Sequence, residues 1–263
     1  MATMYDNDIR GLFAGSGFEF AVSMDCEGTN YDKNLDANVD ELERFVAAAT
    51  AAGVTTVLFV TPRFAEALER HGLAGRLPRE YRVVYGLHIH PDNLPDEMES
   101  ALGFIRPDEE YLASYTEEQQ RAIISSAYAY VLDRGVGPLQ IFRGGCFSMG
   151  PDTSRILAAE TPIRFESHNP FREQYRPEPG LLDPLPVYAL SRDEELRLEF
   201  FTTERLEEMV RGAIRSGAKT LAITHSYMLD PNDFHYRRDG IEGDIHVRLA
   251  RLLAVIAEAE AGA

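Results

Sequence analysis

The chain has 263 residues, 44% of them apolar, which suits one large α/β domain or two small ones and excludes a disordered chain. Its 26 Lys and Arg face 43 Asp and Glu, and the formal charge of −17 repels phosphate backbones and anionic lipid, so neither nucleic acid nor a membrane is an expected partner. The N-terminus, MATMYDNDIRGLFAGSG, lacks the basic start and apolar core of a signal peptide, and no run approaches the ~20 apolar residues of a bilayer span, so the expected location is the cytoplasm.

Apolar, β-branched runs alternate with segments of helical period. FEFAVSM predicts a strand, NVDELERFVAAATAAG a helix, VTTVLFV a strand, PRFAEALERHG a helix and YRVVYGLHIH a third strand. A charged stretch, 91 to 115, precedes a helix in TEEQQRAIISSAYAYVLDRG and a strand in PLQIFRG; GPDTSRILAAE then leads to PIRFES. Residues 170 to 200, rich in Pro, Arg and Glu, predict a long surface loop and a short strand, of the kind that shapes binding sites. TTERLEEMVRGAIRSG predicts a helix with a Thr cap and an acidic first turn, AKTLAITHS the last strand, and about Glu242 to Glu260 a terminal helix. No internal repeat or long linker divides the chain, so residues 1 to 263 form one expected domain. Single helices between strands imply a mostly parallel sheet, open or closed into a barrel, with chemistry at the carboxyl ends of the strands.

Those ends are rich in reactive groups. GLHIHPDN carries His88 and His90, which project to one face if the run is extended, either as metal ligands or as two histidines at a polar strand end. SMDCEG carries Asp25 and Glu27, which share a face in the same way or, as a lone Asp-x-Glu, merely cap the next segment. One carboxylate and two imidazoles make a complete set for zinc or a similar divalent ion, leaving the other carboxylate as a base on a metal-activated water. His225 in LAITHSYML is an acid for a leaving amine or a hydrogen-bonded packing residue, and Arg143 in IFRGG an orienting cation or a surface salt bridge. Glu166 and His168 in ESHNPF, with Tyr227, are candidate substrate contacts, although structural hydrogen bonding is preferred for Glu166 and His168. His71, His235 and His246 read as surface residues. Cys26 and Cys146, with no Cys-x-x-Cys, argue against a disulfide framework or a zinc knot and read as small buried hydrophobes. RGGCFSMGP matches no phosphate loop, so a nucleotide has no support.

Taken in order from about Phe18 to Leu229, these segments resemble the polysaccharide deacetylase family, the NodB-homology or carbohydrate esterase family 4 domain. SMDCEG is similar to its acidic motif, GLHIHPD to its histidine motif, FRGGCFSMGPDT to its arginine motif and LAITHSYML to its final histidine motif. The resemblance implies a distorted (β/α) barrel and a divalent metal, zinc first, with iron, cobalt, nickel or manganese as alternatives. It implies Glu27, His88 and His90 as ligands, Asp25 as base, Arg143 as its orienting residue and His225 as acid. The sequence departs from the common pattern: Cys26 separates the two acids, so their roles can exchange, and the family's usual first histidine position falls on Gly86.

The expected activity is hydrolysis of an N-acyl, usually N-acetyl, group on an intracellular sugar or sugar-like small molecule. The rivals are a sugar-binding or regulatory module on the same barrel and a different His-x-His metallohydrolase, a phosphoesterase or cyclic amidohydrolase. The oligomeric state is left open.

Overall fold

A computed structural model describes residues 8–12, 19–28, 32–233 and 241–261. Strands β1 (Phe20–Cys26), β2 (Thr56–Val60), β3 (Val83–Ile89), β4 (Leu139–Gly144), β5 (Phe165–Glu166), β6 (Asp183–Pro184) and β7 (Thr220–His225) form one sheet in the order β6-β5-β4-β3-β2-β1-β7. Every pairing in it is parallel. All connections but the one from β5 to β6 are helical: α1 (Leu35–Ala51), α2 (Pro62–Arg70), α3 (Leu77–Glu80), α4 (Asp96–Leu102), α5 (Glu117–Asp133), α6 (Pro151–Glu160) and α7 (Thr203–Ser216), with α8 (Ile245–Ala261) last. This is the expected distorted (β/α) barrel. No helix among the described residues is long and apolar enough to cross a membrane.

Local signals mark the helix starts. Thr116 and Gln119 form a reciprocal capping box on α5, and Thr202 accepts from Arg205 N at the start of α7, as the sequence predicts. α3 and α4 were not anticipated, because runs of four and seven residues are too short to establish a period. The terminal helix begins at Ile245, three residues later than expected, after Gly243 at φ +76°.

Strand alternation divides the core. Val22, Met24 and Cys26 of β1 turn outward into the large cluster shared with the helices, with Phe45, Phe64, Leu68 and Ile123. Ala21 turns inward and packs with Val57, Phe59, Val84, Ile141 and Leu221 at the centre of the ring. The next inward positions along β1, β3 and β4 are Ser23 and Asp25, Gly86 and His88, and Arg143, while on β7 Ile223 precedes His225, so polar residues take over from the apolar plug towards the carboxyl ends. Gly86 allows this tight interior: a Cβ there would lie 2.7 Å from Phe59 Cδ1 and 2.8 Å from Ile141 Cγ2. No histidine fits at this position, and His88, one inward step further on, takes its place. Gly86→Ala is therefore expected to lower stability by about 1–3 kcal/mol through overpacking, read as a shift in the urea midpoint.

The 170 to 200 stretch differs most from expectation. It holds the expected exposed loop and short strand, β6, but beyond them the chain also spans the gap between the sheet's two ends. Leu185 N and Val187 N donate to Glu166 O and His168 O, while Tyr188 N and Leu198 N donate to Leu221 O and Ile223 O of β7. Val187, Leu196 and Leu198 are buried accordingly. The ladder is broken into isolated bridges, so no periodicity betrays it in the sequence.

Candidate metal centre and active site

The carboxyl ends of β1, β3, β4 and β7 converge on a cavity of about 320 Å³ lined by Asp25, Glu27, His90, Cys146, Phe147, His225 and Tyr227, with a wall from the 170 to 200 segment. Asp25 and Glu27 are both 4% exposed, His88 1% and His90 5%. The strand end is thus enclosed, and the reading of His88 and His90 as solvent-facing histidines does not hold.

His88 and His90 leave β3 on one face, with ring centroids 4.9 Å apart and planes at 85°. His88 Nδ1 lies 2.8 Å from the carbonyl of Arg143, an acceptor, which places the proton on Nδ1 and leaves the Nε2 lone pair facing inward. That Nε2 is 3.5 Å from Glu27 Oε1, and His90 Nε2 is 3.2 Å from Glu27 Oε2. His88 Nε2 and Glu27 Oε2 are nevertheless buried without a hydrogen-bond partner. Buried acceptors are seldom left so, and three nitrogen and oxygen donors facing one point, all within 4.8 Å of one another, fit a divalent cation. Room for the His90 ring comes from Gly145, where a Cβ would come within 2.4–2.6 Å of three ring atoms. The glycine pair of FRGGCF thus serves close packing. Cys146 and Phe147 beside it hold φ of 50° and 60°, strained for residues with side chains.

Arg143 is fully buried, not a surface cation. Its Nη1 donates to Asp25 Oδ1 at 2.5 Å, its Nε to Ser167 O at 2.9 Å, and its Nη2 to Ser167 Oγ and Ser23 Oγ at 2.7 and 3.1 Å. The guanidinium also stacks 3.9 Å from the Phe59 centroid. Burial alone would raise the Asp25 carboxyl, but the Arg143 charge, with His88 and His225, holds it below the usual carboxylate range. For Glu27, burial is likewise outweighed by His90 and His88, which hold it well below that range. Asp25 Oδ1 is committed to Arg143, while Oδ2 faces the cavity 3.8 Å from His225 Nε2 and 4.0 Å from His88 Nε2.

His225 is not alone. Its Nδ1 is 2.7 Å from Glu199 Oε1, and Glu199 is fully buried; its ring stacks on Tyr227 at 4.8 Å and 21°. This carboxylate–histidine pair fixes the tautomer and leaves Nε2 for the cavity. Asp25, Glu27 and His225 form a second group of metal-ligating reach, but His225 Nε2 is 4.0 Å from Glu27 Oε1, farther than either β3 histidine.

Of the expected substrate contacts, Tyr227 lines the cavity and Glu166 and His168 do not. His168 Nδ1 lies 2.6 Å from Glu166 Oε2, its Nε2 accepts from Gly144 N at 3.0 Å, and Tyr175 OH donates to Glu166 Oε1 at 2.5 Å. This chain of bonds props the Arg143 strand from behind the site. Cys26 is buried as expected, but Cys146 is exposed at the cavity rim, 3.2 Å from Glu110 Oε2. His71 pairs with Asp36 and Asp40 at the surface, whereas the His246 side chain is only 7% exposed and lies 3.1 Å from Glu41; His235 lies outside the described residues. A network the sequence did not reveal supports Glu27: its N–H donates to Ser226 Oγ, which in turn donates to buried Asp32 at 2.8 Å.

Comparison with solved structures places the fold. A family 4 carbohydrate esterase from Streptomyces lividans in complex with acetate superposes with a TM-score of 0.53 at 10% identity, over 94% of this chain and 91% of that one. A candidate polysaccharide deacetylase from Mycobacterium smegmatis does so at 0.56 and 16%, over 94% and 86%. The chain has the fold of the family 4 carbohydrate esterases. No protein-family model and no curated protein sequence matches it. A mutant of a pseudoenzyme of that family with restored activity shares the fold at a TM-score of 0.50 and 10% identity, over 93% and 64% of the two chains. The fold therefore does not by itself carry the activity, and the side chains decide it.

Proposed function

We propose that this chain is a divalent-metal-dependent hydrolase that removes an N-acyl group, N-acetyl first, from a sugar or sugar-like small molecule. The observation that carries the reading is the convergence of Glu27, His88 and His90, with unpartnered buried atoms, beside an arginine-held carboxylate and a glutamate-held histidine. The shared fold, and the acetate bound by the Streptomyces lividans enzyme, support the substrate class. A zinc ion on these side chains would polarise the acyl carbonyl and make a water acidic enough to attack near neutral pH; iron, cobalt, nickel and manganese accept the same donors.

Asp25 Oδ2 is the proton acceptor in this reading. Arg143 fixes the orientation of the carboxylate through Oδ1 and keeps it ionised at neutral pH. His225 presents Nε2 to the departing amine, and Glu199 at Nδ1 stabilises the imidazolium from which that proton is given. Tyr227, stacked on the imidazole, limits its rotation.

The test is elemental analysis of the purified protein beside the His88→Ala/His90→Ala double variant, followed by acetate release from N-acetylated sugars. The wild type is expected to carry near-stoichiometric metal and the variant to lose most of it. Equal metal in both sinks the ligand assignment. A wild type that stays metal-free after reconstitution leaves a non-catalytic sugar-binding barrel as the account of the chain.

A further inference from the structure

Opposite the carboxylates, the cavity wall carries Arg172, Arg192 and Arg197, all from the 170 to 200 segment. In a chain with 43 acidic and 26 basic residues, three guanidiniums lining one cavity are a local concentration of positive groups. Two of them share one carboxylate. Arg172 Nη2 and Arg197 Nη2 share one carboxylate oxygen, Glu195 Oε1, at 3.3 and 2.7 Å, and Glu195 Oε2 is taken by Asn169 at 2.7 Å. The Nε atoms of Arg172 and Arg197 are both buried without a hydrogen-bond partner. Arg192 pairs with Glu173 at 3.1 Å and with Asp193 at 3.9 Å, but the three side chains are 49%, 72% and 81% exposed, ion pairs held weakly in water.

The other charged groups lining the cavity are Asp25, Glu27 and Glu110, so three carboxylates face three guanidiniums. Glu110 lies on the Cys146 side, where its Oε2 accepts from Sγ. A divalent ion on Glu27, His88 and His90 would offset the carboxylates on that side of the cavity and leave the guanidinium wall less compensated by them. Burial opposes charge on Arg197, but Glu195, Glu199 and, more weakly, Asp25 raise its pKa, which puts Arg197 within the field of the reacting carboxylate. The three arginines therefore line the same cavity as Asp25, within reach of the remaining groups of a substrate bound there.

Building on the hydrolase reading, we propose that Arg172, Arg192 and Arg197 bind a carboxylate or phosphate on the substrate, so that the enzyme acts on an N-acylated acidic compound in preference to a neutral one. Guanidinium forks suit both anions, and a charge-assisted pair in an enclosed site is strong enough to discriminate.

The experiment measures acetate release by the metal-loaded full chain from N-acetylglucosamine, its 1- and 6-phosphates and the corresponding uronate. In parallel, glucose 6-phosphate and glucuronate, which carry no acyl group, are titrated calorimetrically. At least one anionic compound is expected to exceed the neutral sugar in kcat/KM by about tenfold or more, and its identity separates phosphate from carboxylate. Arg172→Gln and, at the exposed and structurally safer position, Arg192→Gln are expected to bring that ratio towards one and to weaken the titrated anion. Release from neutral and anionic compounds alike, with a ratio that neither variant changes, overturns the arginine wall and leaves the hydrolase reading standing. Anion binding that the variants abolish, with no acetate from any compound, upholds the wall and removes the hydrolase reading. The absence of both acetate release and anion binding overturns the proposal.

Discussion

Asp25→Asn is expected to lower turnover by about 10²–10⁴-fold while leaving the metal content of the protein unchanged. The amide is isosteric and keeps an oxygen for Arg143 Nη1, so the Arg143 cluster and the strand end persist. What it loses is the free carboxylate oxygen, Oδ2, that looks into the cavity between His88 and His225. Turnover and elemental content measured on the same preparation separate the two acids. A variant that still turns over transfers the base to Glu27, and one that loses its metal makes Asp25 a ligand. The second outcome would be the exchange of roles that Cys26, set between the two acids, left open in the sequence.

Arg143→Met should be the most destabilising change in the barrel interior, at about 3–5 kcal/mol, read from chemical denaturation at neutral pH. Methionine fills much of the space, so the cost comes from what is left behind. Asp25, 4% exposed, would keep a charge with no cation against it, and the Ser167 carbonyl and the two serine hydroxyls would lose their donor. Arg143→Lys keeps the charge but cannot reach Asp25, Ser23 and Ser167 at once, so it should recover part of the stability and little of the turnover. A Met variant as stable as the wild type would mean that Asp25 takes up a proton inside the barrel at neutral pH, contrary to the role of base proposed for it.

What could be read from the sequence were the features that alternation controls. Period two placed His88 with His90 and Asp25 with Glu27, and the parallel connections sent all four to one end of the sheet. Arg143 and His225 were found by the same route, as polar residues ending apolar strands. Glu199 was not, because it sits in irregular chain 26 residues before its partner, and only the closure of the ring brings it to His225. The Asp32–Ser226 support of Glu27 was hidden for the same reason, being contacts between loops nearly two hundred residues apart. Glu166 and His168 show the opposite error. They end a strand as the true cavity residues do, but β5 lies near one end of the sheet, and their bonds run to Tyr175 and the β4 backbone instead of the cavity.

The segment that joins the two ends of the sheet has a consequence for anyone wishing to retarget this protein. Binding walls on barrels are usually regarded as exchangeable loops, grafted without touching the chemistry beneath. Here the same stretch that supplies Arg172, Arg192 and Arg197 supplies Glu199 and hydrogen-bonds to β7 through Tyr188 and Leu198. A transplant of this wall also replaces the partner of His225 and the last stave of the barrel, so the proposed recognition and proton transfer would be inherited as one piece. New specificity in this scaffold has to come from point changes on the wall, with Leu196, Leu198 and Glu199 kept in place.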